Sequence, residues 1–194
     1  PPVTGVVPVG PPATEMITAQ PSEGMRPLRF WAKSRRLLSL PGVRLSYWVH
    51  FTSPFASNVF LLLWGMPFLT GGVGLDPSEA RGLLTLTVLS SMFAGLVLGP
   101  LSSRFIERRV WINVGITIAV AVTWIAILVW PGTPPVWLIA VLLVVMPLGG
   151  PASMIAFEVS RSHTPRSFIG FGTGLINTAG FTASLVTILL IGLV

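Results

Sequence analysis

From Ser46 to Val194 the chain is almost continuously apolar, and this stretch divides into five runs of the length a bilayer demands. Crossing a ~30 Å hydrocarbon core as a helix takes ~20 apolar residues. The runs are Trp48–Leu69, Leu83–Ser103, Val110–Trp130, Val136–Phe157 and Ile169–Val194. Each is largely apolar around its whole circumference, whereas a surface helix of a water-soluble protein keeps one polar face. Charged residues make up only 9% of the chain, too few to coat a soluble core of this size. An all-α, polytopic membrane bundle is the fold class that remains.

The arginines orient the bundle. Arg26, Arg29, Lys33, Arg35, Arg36 and Arg44 precede the first run. Arg104, Arg108 and Arg109 separate the second from the third, and Arg161 and Arg166 separate the fourth from the fifth. The alternate connections hold only Arg81, beside Asp76 and Glu79, and the uncharged stretch Pro131–Pro135. Basic loops stay on the cytoplasmic side, which predicts a cytoplasmic N-terminal segment and a multi-pass protein of the inner membrane. The net charge of +6 is therefore a topological signal. Nothing in the pattern resembles a nucleic-acid platform, because the aromatics lie mostly within the apolar runs and at their ends.

Three regions follow. Residues 1–25 are rich in Pro, Thr, Val and Gly without a period, which predicts a disordered linker. Residues 26–45 form a basic juxtamembrane segment in which Phe30, Trp31, Leu37, Leu38 and Leu40 alternate with cations. Such a segment either binds the anionic leaflet or merely holds topology, and Pro41–Gly42 is expected to end it. Residues 46–194 are the transmembrane bundle. It is expected to be incomplete, because the chain opens at Pro1 and stops at Val194 inside an apolar run.

Within the bundle, polar residues are the informative ones. His50, Ser53, Pro54, Ser57, Phe60 and Trp64 share one face of the first run, with Asn58 beside them. Polar groups turned to lipid cost several kcal/mol, so this face should meet protein or a water-filled cavity. His50 falls near the cytoplasmic end and reads as structural. Gly95 and Gly99 in the second run form a pair that permits close helix approach. The third run is nearly free of polar groups beyond Asn113, Thr117 and Thr123, which places it on the outside. The fourth is interrupted by Met146-Pro147-Leu148-Gly149-Gly150-Pro151, the mark of a broken helix, and broken midplane helices often bind solutes. The fifth sets Gly170, Thr173, Gly174, Asn177, Gly180 or Phe181, and Ser184 on one side. Ser57, Asn58, Trp64, Ser153 and Asn177 are the candidate cavity residues, with interhelical hydrogen bonding as the alternative for each.

Enzymatic chemistry finds little to work with. The runs contain no Asp and no Lys, the nearby Glu residues sit at boundaries, and His50 and His163 lack metal-binding spacing. Without cysteine there is neither a disulfide nor a thiolate metal site. No catalytic residue, metal or cofactor is expected. A transporter of a small-molecule substrate fits best, and a non-transporting membrane subunit or receptor is the alternative. A coupling proton would need a carrier outside these runs. Phe60, Trp64, Met146 and Met154 offer adaptable apolar contacts, which favours export of amphipathic compounds.

The connection after the second run reads Gly99-Pro100-Leu101-Ser102-Ser103-Arg104-Phe105-Ile106-Glu107-Arg108-Arg109. It resembles the loop motif of the major facilitator superfamily, G-x-L-[SA]-D-R-x-x-R-R. Gly99, Leu101, Ser102, Arg104 and Arg108 match, and Arg109 follows directly. Ser103 stands where the motif has aspartate, and Glu107 stands at a basic position. Glu158, Arg161 and Arg166 resemble the end of helix ten and its following loop in that superfamily. The run from Gly149 to Val194 is similar to a bacterial branch of general permeases. The resemblance implies a twelve-helix bundle, of which this chain would supply the central loop and helices seven to eleven. The missing N-terminal half would be its partner. It also implies a cytoplasmic charge latch of Arg104, Arg108, Arg109, Glu158, Arg161 and Arg166.

Overall fold

The computed structural model describes residues 30–105 and 107–193. The linker expected over residues 1–25 lies outside them, as do Arg26 and Arg29. Among the described residues, five helices are long and apolar enough to cross a membrane. A short helix, α1 (Phe30–Leu38), precedes them. The spans are α2 (Pro41–Gly72), α3 (Pro77–Arg104), α4 (Arg109–Leu128), α5 (Val136–His163) and α6 (Arg166–Gly192).

Helix starts are set by proline. Pro41 does not simply close the basic segment; it opens α2 from its first turn, where a missing N–H costs nothing. The first span therefore begins seven residues before Trp48, and the boundary expected at residue 45 falls inside it. Pro77 opens α3 in the same way. There Asp76 caps the helix, and its own N–H donates to Glu79 Oε2 at 3.4 Å, a capping box. The second span accordingly starts six residues ahead of Leu83.

The centre of the bundle is α5. More than half of its apolar window, 56%, is buried, against 28% or less for every other span. Its first half packs on α3 and α4, and its second half packs on α2 and α6. Two clusters form the core. Phe60, Leu69, Ile139, Leu142, Leu143 and Met146 fill one end, and Leu37, Val43, Val49, Ala156 and Ile176 fill the arginine-rich end. Much of the rest of the apolar surface faces outward, as a lipid-solvated bundle requires. Leu62, Leu96, Trp111 and Leu128 are all more than 70% exposed.

Both α2 and α5 are broken, and the breaks meet. In α2 the helix stops at Thr52 and resumes at Phe55. Pro54 has no N–H to give the His50 carbonyl, and its ring disturbs the turn before it. Two π-turns follow, Phe60–Trp64 and Phe68–Gly72. In α5 the chain passes through a 3-10 turn at Met146–Leu148 and a four-residue helix at Gly149–Ala152, within the interruption that Pro147 and Pro151 predict. At Gly149 the two backbones touch. A Cβ there would overlap the Ser53 carbonyl.

Three expectations about packing need correction. A Cβ at Gly95 or Gly99 would meet nothing within 4 Å; the two glycines border a small hollow against Pro151, Met154 and Ile155 of α5 rather than a close helix contact. On α6 the small residues divide. Gly180 lies against Pro54 and His50, while Gly170 and Gly174 face open space. The third span, α4, is peripheral as expected, yet Asn113 turns inward and is only 2% exposed, because a buried hydroxyl on α2 supplies its amide with a partner.

Candidate functional site

The polar face of α2 is built into a seam with its neighbours. Ser57 Oγ donates to the Met146 carbonyl at 2.8 Å, a second donor beside the Gly149 N–H of the 3-10 turn in α5. One turn earlier, the Ser53 hydroxyl lies near both the Val49 carbonyl and the Asn113 amide, the latter at 2.7 Å. A hydroxyl carries one proton and cannot donate twice. The consistent assignment turns the Asn113 amide so that Nδ2 donates to Ser53 Oγ while Ser53 donates to Val49. On the α6 side, Asn58 Nδ2 donates to Ser184 Oγ at 3.3 Å, and Ser184 donates onward to the Gly180 carbonyl at 2.9 Å. Three neighbouring helices thus each lend α2 a polar partner.

The sequence candidates are partly brought together. Ser57 and Asn58 both sit in the seam. Ser153 is buried close by, but its hydroxyl turns back to the Gly150 carbonyl at 2.6 Å. Trp64 lies in the first π-turn with a buried indole N–H that has no partner among the described residues. Asn177 is exposed on α6, away from the seam. His50 packs beside Phe157, the neighbour of Glu158 in sequence. Because α2 starts at Pro41, His50 is ~14 Å along the axis, 7% exposed, and edge-on to Phe157 at 4.8 Å.

An apolar hollow in the membrane-spanning part lies elsewhere. A cavity of about 350 Å³ opens between α2, α4 and α6, lined among others by Thr52, Phe60, Thr117, Trp124 and Thr187. None of the five cavity candidates lines it. Its aromatic lining is Phe55, Phe60 and Trp124, with Trp124 6.2 Å from Phe60 between ring centres and backed by Phe68 at 5.5 Å. Sequence reasoning passed over Trp124 because α4 reads as uniformly apolar. The seven-residue spacing of Thr117 and Trp124, two turns on one face, was the available signal.

At the arginine-rich end, Arg109 Nη1 meets Glu158 Oε2 at 2.9 Å. This joins the start of α4 to the second half of α5. The arginine is mostly buried and the carboxylate half-exposed, at 15% and 48%. The other expected partners stand apart. Arg104 lies over the Phe105 ring at 5.9 Å, and Arg108, Arg161 and Arg166 are exposed without an ion pair among the described residues. A second joint was not anticipated. His163 closes α5, and its ring covers Gly42 in the first turn of α2, where any Cβ would overlap it. His163 Nδ1 lies 2.8 Å from the Val159 carbonyl. A carbonyl only accepts, so Nδ1 carries the proton.

The family model described as the Major Facilitator Superfamily matches residues 4–193. No curated protein and no solved structure matches the chain. The family match spans all five membrane helices, the loop between α3 and α4, and Glu158. Members of this family are membrane transporters that take small-molecule substrates, and the chain belongs to the Major Facilitator Superfamily.

Proposed function

We propose that the chain acts in a secondary active transporter that moves a small solute across the cytoplasmic membrane by alternating access. The observation that carries this reading is the crossing of two broken helices, α2 and α5, tied by the bond from Ser57 to the Met146 carbonyl. Discontinuous helices at mid-depth leave backbone groups free to meet a solute and give each helix a point about which its halves can move. Trp64 adds an unpaired donor, and Ser57 and Asn58 can trade their helix partners for a ligand. Ser153 and Asn177 are the weaker members of the set, one bonded back to its own turn and the other remote.

The apolar cavity walls and the absence of charge around the seam favour an amphipathic compound, and export is the direction proposed. Arg109 and Glu158 act as the core of a cytoplasmic latch. Arg104, Arg108, Arg161 and Arg166 surround it as a reserve of positive charge that can engage the carboxylate in other states. Gly170, Gly174 and Asn177 on α6 are open among the described residues. We assign them to contacts with a second helical half. A coupling proton is carried there or not at all.

The test is flux. Full-length protein in proteoliposomes, given a panel of amphipathic amines under an imposed pH gradient, should accelerate movement of at least one over empty liposomes. Tight binding without movement under any gradient would instead favour a non-transporting subunit or receptor.

A further inference from the structure

The short helix α1 carries more apolar and basic surface than the bundle covers. Its sequence, Phe-Trp-Ala-Lys-Ser-Arg-Arg-Leu-Leu, contains three cations and no acid. One face docks onto the protein. Ser34 and Leu37 are buried, and Leu37 joins the core beneath with Val43 and Ile176. Phe30 meets the Phe171 ring edge-on at 5.5 Å. Lys33 lies over the same ring at 5.8 Å, and Arg36 lies over Phe168 at 5.6 Å. These contacts fix α1 against the first turns of α6, so its remaining flank has a defined orientation.

That flank holds Trp31, 79% exposed, with Arg35 beside it one turn on. Neither side chain has a polar partner among the described residues. Together with Ala32, Arg36 and Ser39 they line a shallow open cleft. An indole N–H, two guanidinium groups and the Ser39 hydroxyl give a positively charged, mainly donating lining. Guanidinium planes pair with phosphate oxygens through paired hydrogen bonds. Tryptophan favours the depth at which headgroups meet acyl chains. A water-exposed tryptophan on a helix pinned at the end of a membrane bundle is unfavourable unless lipid covers it.

We propose that α1 is an interfacial helix whose Trp31, Arg35 and Arg36 hold the phosphate of an anionic phospholipid in the adjacent leaflet. Because Phe30, Lys33 and Arg36 are locked onto α6, a bound lipid also fixes the entry of that span. The inference stands apart from any transport assignment, since it rests only on the docked pose of α1 and the chemistry of its free flank.

Quenching by brominated lipid tests it. The full chain is reconstituted in phosphatidylcholine nanodiscs containing either brominated phosphatidylglycerol or brominated phosphatidylcholine at equal bromine density. Subtracting the signal of Trp31→Phe isolates the Trp31 contribution. The proposal expects stronger quenching of Trp31 by the glycerol lipid. This preference should fall by about fivefold for each of Arg35→Gln and Arg36→Gln. The circular dichroism of each variant reports whether it folds. Arg35 is exposed, so Arg35→Gln alone suffices should the Arg36 variant unfold. Equal quenching by both lipids would overturn the proposal and leave the cations as topological charge only. Absence of Trp31 quenching by either lipid would overturn it as well, placing α1 off the bilayer.

Discussion

At the scale of single residues, the ion pair of Arg109 and Glu158 and the hydrogen bond of Ser57 act differently. A half-exposed ion pair contributes only ~0–1 kcal/mol to stability, so Glu158→Gln should leave thermal unfolding in detergent almost unchanged. Its expected effect is on which face opens. Cysteines introduced into the seam should label faster from the arginine-rich side in this variant, and the natural chain contains no cysteine to interfere. Equal labelling rates in parent and variant would leave the pair without a gating role. Ser57 is the opposite case. Ser57→Ala removes the side-chain donor to the Met146 carbonyl and leaves it only the Gly149 N–H, which should cost ~0.6 kcal/mol and up to ~2 kcal/mol. Ser103→Ala is the control. The Ser103 hydroxyl only bonds back to Pro100 on an exposed surface, and its loss should not move the unfolding transition.

At the scale of elements, Gly149 and Gly150 are adjacent glycines with opposite environments. A Cβ at 149 overlaps the Ser53 carbonyl, whereas one at 150 meets nothing within 4 Å. Gly149→Ala must push α2 and α5 apart and should cost ~1–3 kcal/mol, as overpacking does. Gly150→Ala should be neutral or slightly stabilising, because alanine is the better helix former by ~1 kcal/mol. Thermal unfolding of the pair decides it, and equal losses would deny the backbone contact. From sequence the break itself was readable, since Pro147 and Pro151 remove donors wherever the helix lies. Which of two glycines bears the contact was not readable, because that depends on the rotation of α5 against α2. The start of α2 lies at Pro41, ahead of Trp48, and is not readable from sequence for a related reason. Pro41–Gly42 marks a boundary in either direction, and the folded backbone places Pro41 in the first turn of α2. Asn113 was assigned to a lipid-facing helix because one asparagine among apolar residues gives no face by itself. Asn58 was legible as inward because it lay beside a stripe of polar residues.

At the scale of the whole molecule, the alternation of charged and uncharged connections predicts two distinct sides. A cysteine at Thr133, between α4 and α5, should react with an impermeant reagent in intact cells. One at Ser103 should react only after the membrane is opened, and the reverse pattern would invert the orientation. The five spans and their order were visible in composition alone, because lipid imposes length and apolarity on every crossing segment. The seam was not, since it joins residues far apart in the chain. That distance bears on how the protein is made. Ser57 and Met146 are separated by 89 positions, and ribosomes add ~5–20 residues per second. For roughly 5–20 s of synthesis at that pace, α2 has neither the acceptor nor the small-residue neighbour it will finally use. It is also the least apolar of the five spans, with mean hydropathy 1.3. The nascent helix must therefore wait beside the insertion machinery or a chaperone until α5 emerges, and partial chains ending before Met146 should be recognised and degraded as unfinished.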